Sequence, residues 1–147
     1  MNAYRKILAA VDGSGASAKG LREAVRLAVS EHAKLCIVHV INELYAFSGL
    51  DGPAPVDLVP ALRESGKKVL AKARAAAEKA GVKPTLVLRE TLGGPAADVI
   101  VREARKQGAD LIVLGTHGRR GVRRLVLGSD AEQVVRTSRV PVLLVRE

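Results

Sequence analysis

Five short apolar runs, separated by stretches of helical period, organise this chain. Ile7 to Val11, Leu35 to Ile41, Thr85 to Leu88, Leu111 to Leu114 and Val142 to Val145 read as strands. Most are continuous rather than alternating, as burial on both faces of a parallel sheet requires. Between them, apolar residues recur at helical spacing. Leu21, Ala24, Val25, Ala28 and Val29 define a first helix after a candidate cap at Ser17. A second runs from Asp57 to Ala80, with Leu62, Val69, Ala73 and Ala77 on one stripe and Gly81 as its stop. Pro95 starts a third, striped by Ala96, Val99, Ile100 and Ala104 and closed by Gly108. A fourth follows Gly128, faces Ala131, Val134 and Val135 inward, and ends before Pro141.

The order is therefore βαβαβαβαβ. Right-handed crossovers put helices on both sides of such a sheet. The expected fold is α/β: a single doubly wound three-layer domain over residues 1–147, with a five-stranded parallel sheet in the order 3-2-1-4-5. No domain boundary, internal repeat or low-complexity segment breaks it. Ala46 to Pro60 gathers Gly49, Gly52, Pro53, Pro55 and Pro60, and reads as a surface loop, either a passive connection or a lid over a ligand.

Composition narrows the class. With 147 residues, 48% of them hydrophobic, the chain can bury a full core without disulfides or metals. Its single cysteine, Cys36, sits in an apolar run, reads as a small core residue and gives no sign of an oxidising compartment. The run Ile7 to Val11 is too short for a signal-peptide core, and no other run approaches membrane-spanning length, so a cytoplasmic protein is expected. A net charge of +9 favours phosphate-rich partners. Against nucleic acid as the main partner stand the scarcity of aromatics, only Tyr4, Tyr45 and Phe47, and the mixing of signs on the helices, as in Arg22-Glu23 and Arg102-Glu103.

The chemistry concentrates in Gly115-Thr116-His117-Gly118, followed after nine residues by Gly128-Ser129. Glycine turns tightly and lets backbone N–H groups approach an anion, and the helix that begins here adds its own unpaired N–H groups. Arg119, Arg120, Arg123 and Arg124 lie in the same stretch. It reads as a phosphate cradle. In a doubly wound sheet, ligands bind at the carboxyl ends of strands where strand order reverses, here between the first and fourth strands, whose ends carry Asp12 and Gly115. Asp12 either points at a ligand hydroxyl or amine, or caps the turn into the first helix. Ser129-Asp130-Ala131-Glu132 matches a capping box, and a cap and a phosphate contact can coexist at Ser129.

Other chemistries fit less well. His117 has no evident partner carboxylate, so a backbone-anchoring or solvent-facing role is expected rather than general acid–base work. His39 and His32 read as core-edge and surface residues. The P-loop pattern is absent, and Asp12 stands without the second acid of a phosphoacceptor site. Gly13-Ser14-Gly15-Ala16-Ser17-Ala18 fits a dinucleotide fingerprint, but the second strand reaches its acid, Glu43, about ten residues too late.

Lys6-Ile7-Leu8, Val11-Asp12-Gly13-Ser14, the run from Asp110 to Gly118, Gly128-Ser129, and the run from Val140 to Val145 together resemble the universal stress protein family over essentially the whole length. The resemblance implies a nucleotide-binding α/β fold. Its members divide into those that hold ATP and those lacking the glycine motif, and this chain, keeping the full motif, resembles the ATP-binding branch. The implied ligand is an adenine nucleotide, ATP with Mg2+. On that resemblance Asp12 and Val40 lie on the adenosine side, and Gly115, Gly118, Arg119, Gly128 and Ser129 on the ribose-phosphate side. Val11, His117 and Asp130 complete the candidate set, in which no residue is assigned to catalysis or to a metal. Asp130 departs from the small apolar residue common in the family. Its carboxylate suits the helix dipole but repels a nearby phosphate unless a divalent cation or the arginines compensate.

The resemblance also implies stress-linked signalling and a homodimer. The expected function is an ATP-binding regulatory module with an unidentified protein partner. A slow ATPase and a dimeric scaffold that binds no nucleotide are the alternatives. The last strand, Val142 to Val145, would be an edge at which two copies pair antiparallel.

Overall fold

The computed structural model describes residues 2–43, 47, 52–53, 56–117 and 127–147. Its strands are β1 (Lys6–Ala10), β2 (Lys34–Asn42), β3 (Thr85–Thr91), β4 (Leu111–Gly115) and β5 (Val142–Val145). The helices between them are α1 (Gly15–Glu31), α2 (Leu58–Lys79), α3 (Ala96–Gln107) and α4 (Ser129–Thr137). All strand pairs are parallel, in the order β3-β2-β1-β4-β5 expected from the sequence. At the centre, Leu8 stands in register with Cys36 on one side and Ile112 on the other.

Because side chains alternate across a strand, each apolar run feeds two cores. Ile7, Ala9, Ile37 and Val113 pack under α1 and α2, while Leu8, Val38, Ile112 and Leu114 pack under α3 and α4. Leu8, Ile37, Val38 and Ile112 are fully buried, worth about 1.5–3 kcal/mol each in removal from water. This explains why the runs lack a polar alternation. β2 and β3 continue beyond their apolar runs because their ladder holds from Cys36–Thr85 to Asn42–Thr91, and an edge strand tolerates the polar Arg89 and Glu90.

Four local expectations are corrected. Val29 and Val135 are both 47% exposed, since each lies at the margin of its helical stripe. The cap of α1 is Ser14, whose Oγ accepts the Ser17 N–H at 3.2 Å, and Ser17 is buried inside the helix. The chain reverses earlier than expected because Gly13 adopts φ +85°, a left-handed turn. The fourth is the end of the Ala46 to Pro60 loop: most of that stretch lies outside the described residues, but Pro60 itself stands in the first turn of α2, where its missing N–H costs nothing.

At the amino end of the sheet, the Asp110 carboxylate accepts the N–H of Arg5 at 2.9 Å and that of Lys6 at 3.1 Å. This ties the start of β1 to the turn before β4. Among the described residues, no helix is long and apolar enough to cross a membrane.

Candidate functional site

At the opposite, carboxyl end of the sheet lies a cleft of about 380 Å³, at the point between β1 and β4 where strand order reverses. Val11 and Asp12 enter from the end of β1, Val40 from β2, Gly115 and His117 from the end of β4, and Gly128, Ser129 and Asp130 from the start of α4. These are eight of the ten candidate residues. Gly118 and Arg119 lie outside the described residues, as do Arg120, Arg123 and Arg124.

Asp12 closes the turn into α1. Its Oδ1 accepts the Ser14 N–H at 2.9 Å, and its own N–H donates to Ser17 Oγ at 3.2 Å. The turn-capping role is thus present, in a residue that also lines the cleft. Val11 is buried, and its carbonyl accepts a bond from His39 Nδ1 at 2.7 Å, which fixes the imidazole with its proton on Nδ1. His39 fits only because α2 has Gly66 above it. A Cβ there would stand 3.0 Å from His39 Cδ2 and 2.9 Å from Leu88 Cδ1.

The two described glycines of the motif are needed by the chain itself. A Cβ on Gly115 would lie 2.6 Å from the carbonyl carbon of Ala16 and 2.8 Å from the Ser17 nitrogen, so α1 crosses directly over this backbone. Gly128 has φ −59°, and it donates its N–H to the Thr116 carbonyl at 2.8 Å, where a Cβ would lie 3.0 Å from that same oxygen. Its N–H is therefore engaged rather than presented to a ligand. The open donors come one residue later. The first intrahelical bond of α4 runs from Glu132 N–H to Gly128 O at 2.9 Å, so the helix supplies no i−4 carbonyl to the N–H groups of Ser129, Asp130 and Ala131, all three of which line the cleft. With the helix dipole, they form the electropositive wall of the site.

The capping box at Ser129 is a correction. Gly128 is the N-cap of α4, and among the described residues no side chain caps the helix. Glu132, instead of reaching back, accepts a bond from Arg136 Nη2 at 2.7 Å. A helix that starts with its cap on Gly128 places Ser129 one position too late for the box. His117 is likewise not simply solvent-facing, because its Nδ1 is buried and has no hydrogen-bond partner among the described residues.

Residues 3–146 match the Universal stress protein family. This chain belongs to the universal stress protein family. A universal stress protein of Methanocaldococcus jannaschii is 37% identical over 147 residues, covering 99% of this chain and 84% of that one. The crystal structure of a universal stress protein family member from Burkholderia pseudomallei superposes with a TM-score of 0.78 at 37% identity, covering 97% and 96% of the two chains. A universal stress protein crystallised in complex with cAMP gives a TM-score of 0.68 at 28% identity, covering 98% of each chain.

Two polar residues at strand ends in this universal stress protein's cleft lie outside the candidate set, Asn42 and Thr116. Each ends or directly follows a strand at its carboxyl end, and that position was the available signal. Ser65 and Ala96 also line the cleft from α2 and α3, and no motif in the sequence marks them. Among the described residues, no three or more His, Cys, Asp or Glu side chains are grouped to hold a metal ion.

Proposed function

We propose that the cleft binds an adenine nucleotide, ATP with Mg2+, and that nucleotide occupancy regulates a protein partner in a stress response. The observation that carries this reading is the meeting, in one cleft, of an apolar-walled half at Val11 and Val40 with the open N–H groups at the start of α4. An adenosine moiety suits the first, and a phosphate chain the second. The related protein solved with cAMP supports an adenine ligand. Mg2+ holds few protein ligands when phosphates supply the rest, and Asp130, or Asp12 on the facing wall, suits that habit. Family membership supports the regulatory role and a cytoplasmic setting. β5 supports a homodimer: it is an edge strand, and all four of its residues are only half-buried.

One observation favours the scaffold reading instead. Gly115 and Gly128 are explained by packing alone, so the motif would persist in a protein that binds nothing. Purification without added nucleotide, denaturation and anion-exchange chromatography of the released molecules separates the two. About one equivalent of adenine nucleotide per chain, absent from a folded Val40→Trp variant, supports the binding reading. A protein that emerges empty and stays empty with added ATP and magnesium supports the scaffold. Sedimentation at micromolar concentration tests the dimer, and a monomer would remove that part.

A further inference from the structure

α4 carries two acids in its first turn, Asp130 and Glu132, and they differ in their surroundings. The Glu132 carboxylate is paired with Arg136. The Asp130 carboxylate makes no hydrogen bond or ion pair with any described residue, is exposed, and belongs to the cleft wall beside the open N–H groups of Ser129 and Ala131. A negative side chain therefore stands on the wall that, on the adenine-nucleotide reading, meets the phosphate chain.

From this we infer that Asp130 is a specificity-determining residue that makes polyphosphate binding conditional on a divalent cation. The inference rests on the adenine-nucleotide reading. Adenosine carries no charge and is indifferent to Asp130. A bare triphosphate brings several negative charges towards this carboxylate, and one close charge pair alters affinity by about tenfold or more in a partly desolvated cleft. Magnesium reverses the sign of that contact, because a cation already shared between phosphates accepts one further carboxylate. The site then admits adenosine unaided and ATP only as its magnesium complex, so occupancy follows free magnesium as well as ATP.

The test is titration calorimetry on the full chain with adenosine and with ATP, each in excess magnesium and in chelator. The proteins are wild type, Asp130→Asn, and Glu132→Gln as the charge-matched control from the same turn. Circular dichroism melts confirm that each is folded. The expected result is that chelation weakens wild-type ATP binding by about tenfold or more and leaves adenosine unchanged. Asp130→Asn should lose most of that dependence, while Glu132→Gln keeps it. If adenosine binds but wild-type ATP affinity ignores magnesium, or Asp130→Asn retains the full dependence, the charge filter is overturned and the adenine site stands. If folded wild type binds neither adenosine nor ATP in either condition, both readings fall together.

Discussion

Gly115 and Ala16 touch backbone to backbone: a Cβ on the glycine would lie 2.6 Å from the carbonyl carbon of Ala16 and 2.7 Å from its oxygen. Gly20, one turn further along α1, completes the contact, with its own absent Cβ 3.1 Å from the Gly115 nitrogen. No rotamer can relieve such a clash, because both partners are main chain. Gly115→Ala should therefore destabilise the fold by about 1–3 kcal/mol, measured as a lowered urea midpoint with or without nucleotide. Gly128→Ala, whose nearest conflict is a single carbonyl at 3.0 Å, should cost less.

Ser14 and Ser129 make a matched pair for separating capping from binding. Ser14 holds the Ser17 N–H at the start of α1, so Ser14→Ala should lower stability by about 1 kcal/mol. Ser129 caps nothing, and Ser129→Ala should leave stability within about 0.5 kcal/mol. Chemical denaturation of both variants, without ligand, gives the comparison. An equal loss in the two would restore the capping box.

Glu103 is only 4% exposed and is held by Arg89 Nε at 3.0 Å and Gln107 Nε2 at 2.8 Å. Burial pushes its carboxyl upward, but the bonds from Gln107 and Arg89 prevail and leave it below the ordinary carboxylate range. A folded-state value below the unfolded one favours folding while the group is ionised. That contribution is complete above the unfolded value and is lost as pH falls through the folded one. Arg89→Met should cost about 1–3 kcal/mol at neutral pH, below the range for a fully buried pair because the guanidinium reaches solvent. Urea unfolding across the acid range should show wild type and variant converging as Glu103 takes up its proton.

Cys36 is buried on β2, and its thiol is pushed up to about 11, chiefly by burial and secondarily by the Glu103 charge. Here the sign is opposite. The fold favours the protonated thiol, so the stability is intact below the unfolded value of 9.0 and is lost as pH rises through the folded one. Iodoacetamide at about pH 8 should leave the native protein unmodified and react fully once urea unfolds it, as mass spectrometry would show.

The sheet was legible because burial on both faces leaves a signature that survives in one sequence: runs such as Leu35 to Ile41 have no polar face to offer. The carboxyl-end cleft followed from topology, since Asp12 and Gly115 end the two strands that flank the reversal. What failed was the width of a stripe and the position of a cap within one helical turn. Val29 and Val135 fit an apolar stripe whose width periodicity cannot set, and the caps at Ser14 and Gly128 depend on where the chain reverses. The glycine spacing points to a ligand, and Gly115 answers to Ala16 as well, a contact between residues 99 positions apart that local spacing does not encode. His39 was placed at the core edge. Its bond to the Val11 carbonyl was invisible for the same reason.

Asp110 fastens β1 at the end of the sheet away from the cleft, accepting from Arg5 and Lys6. The consequence is a division of labour along the strand axis. The start of the frame is clamped at a pole remote from the cleft, so a change of side-chain charge on the cleft wall leaves that fastening intact. Asp130 stands at the cleft end, where its carboxylate plays no part in that fastening.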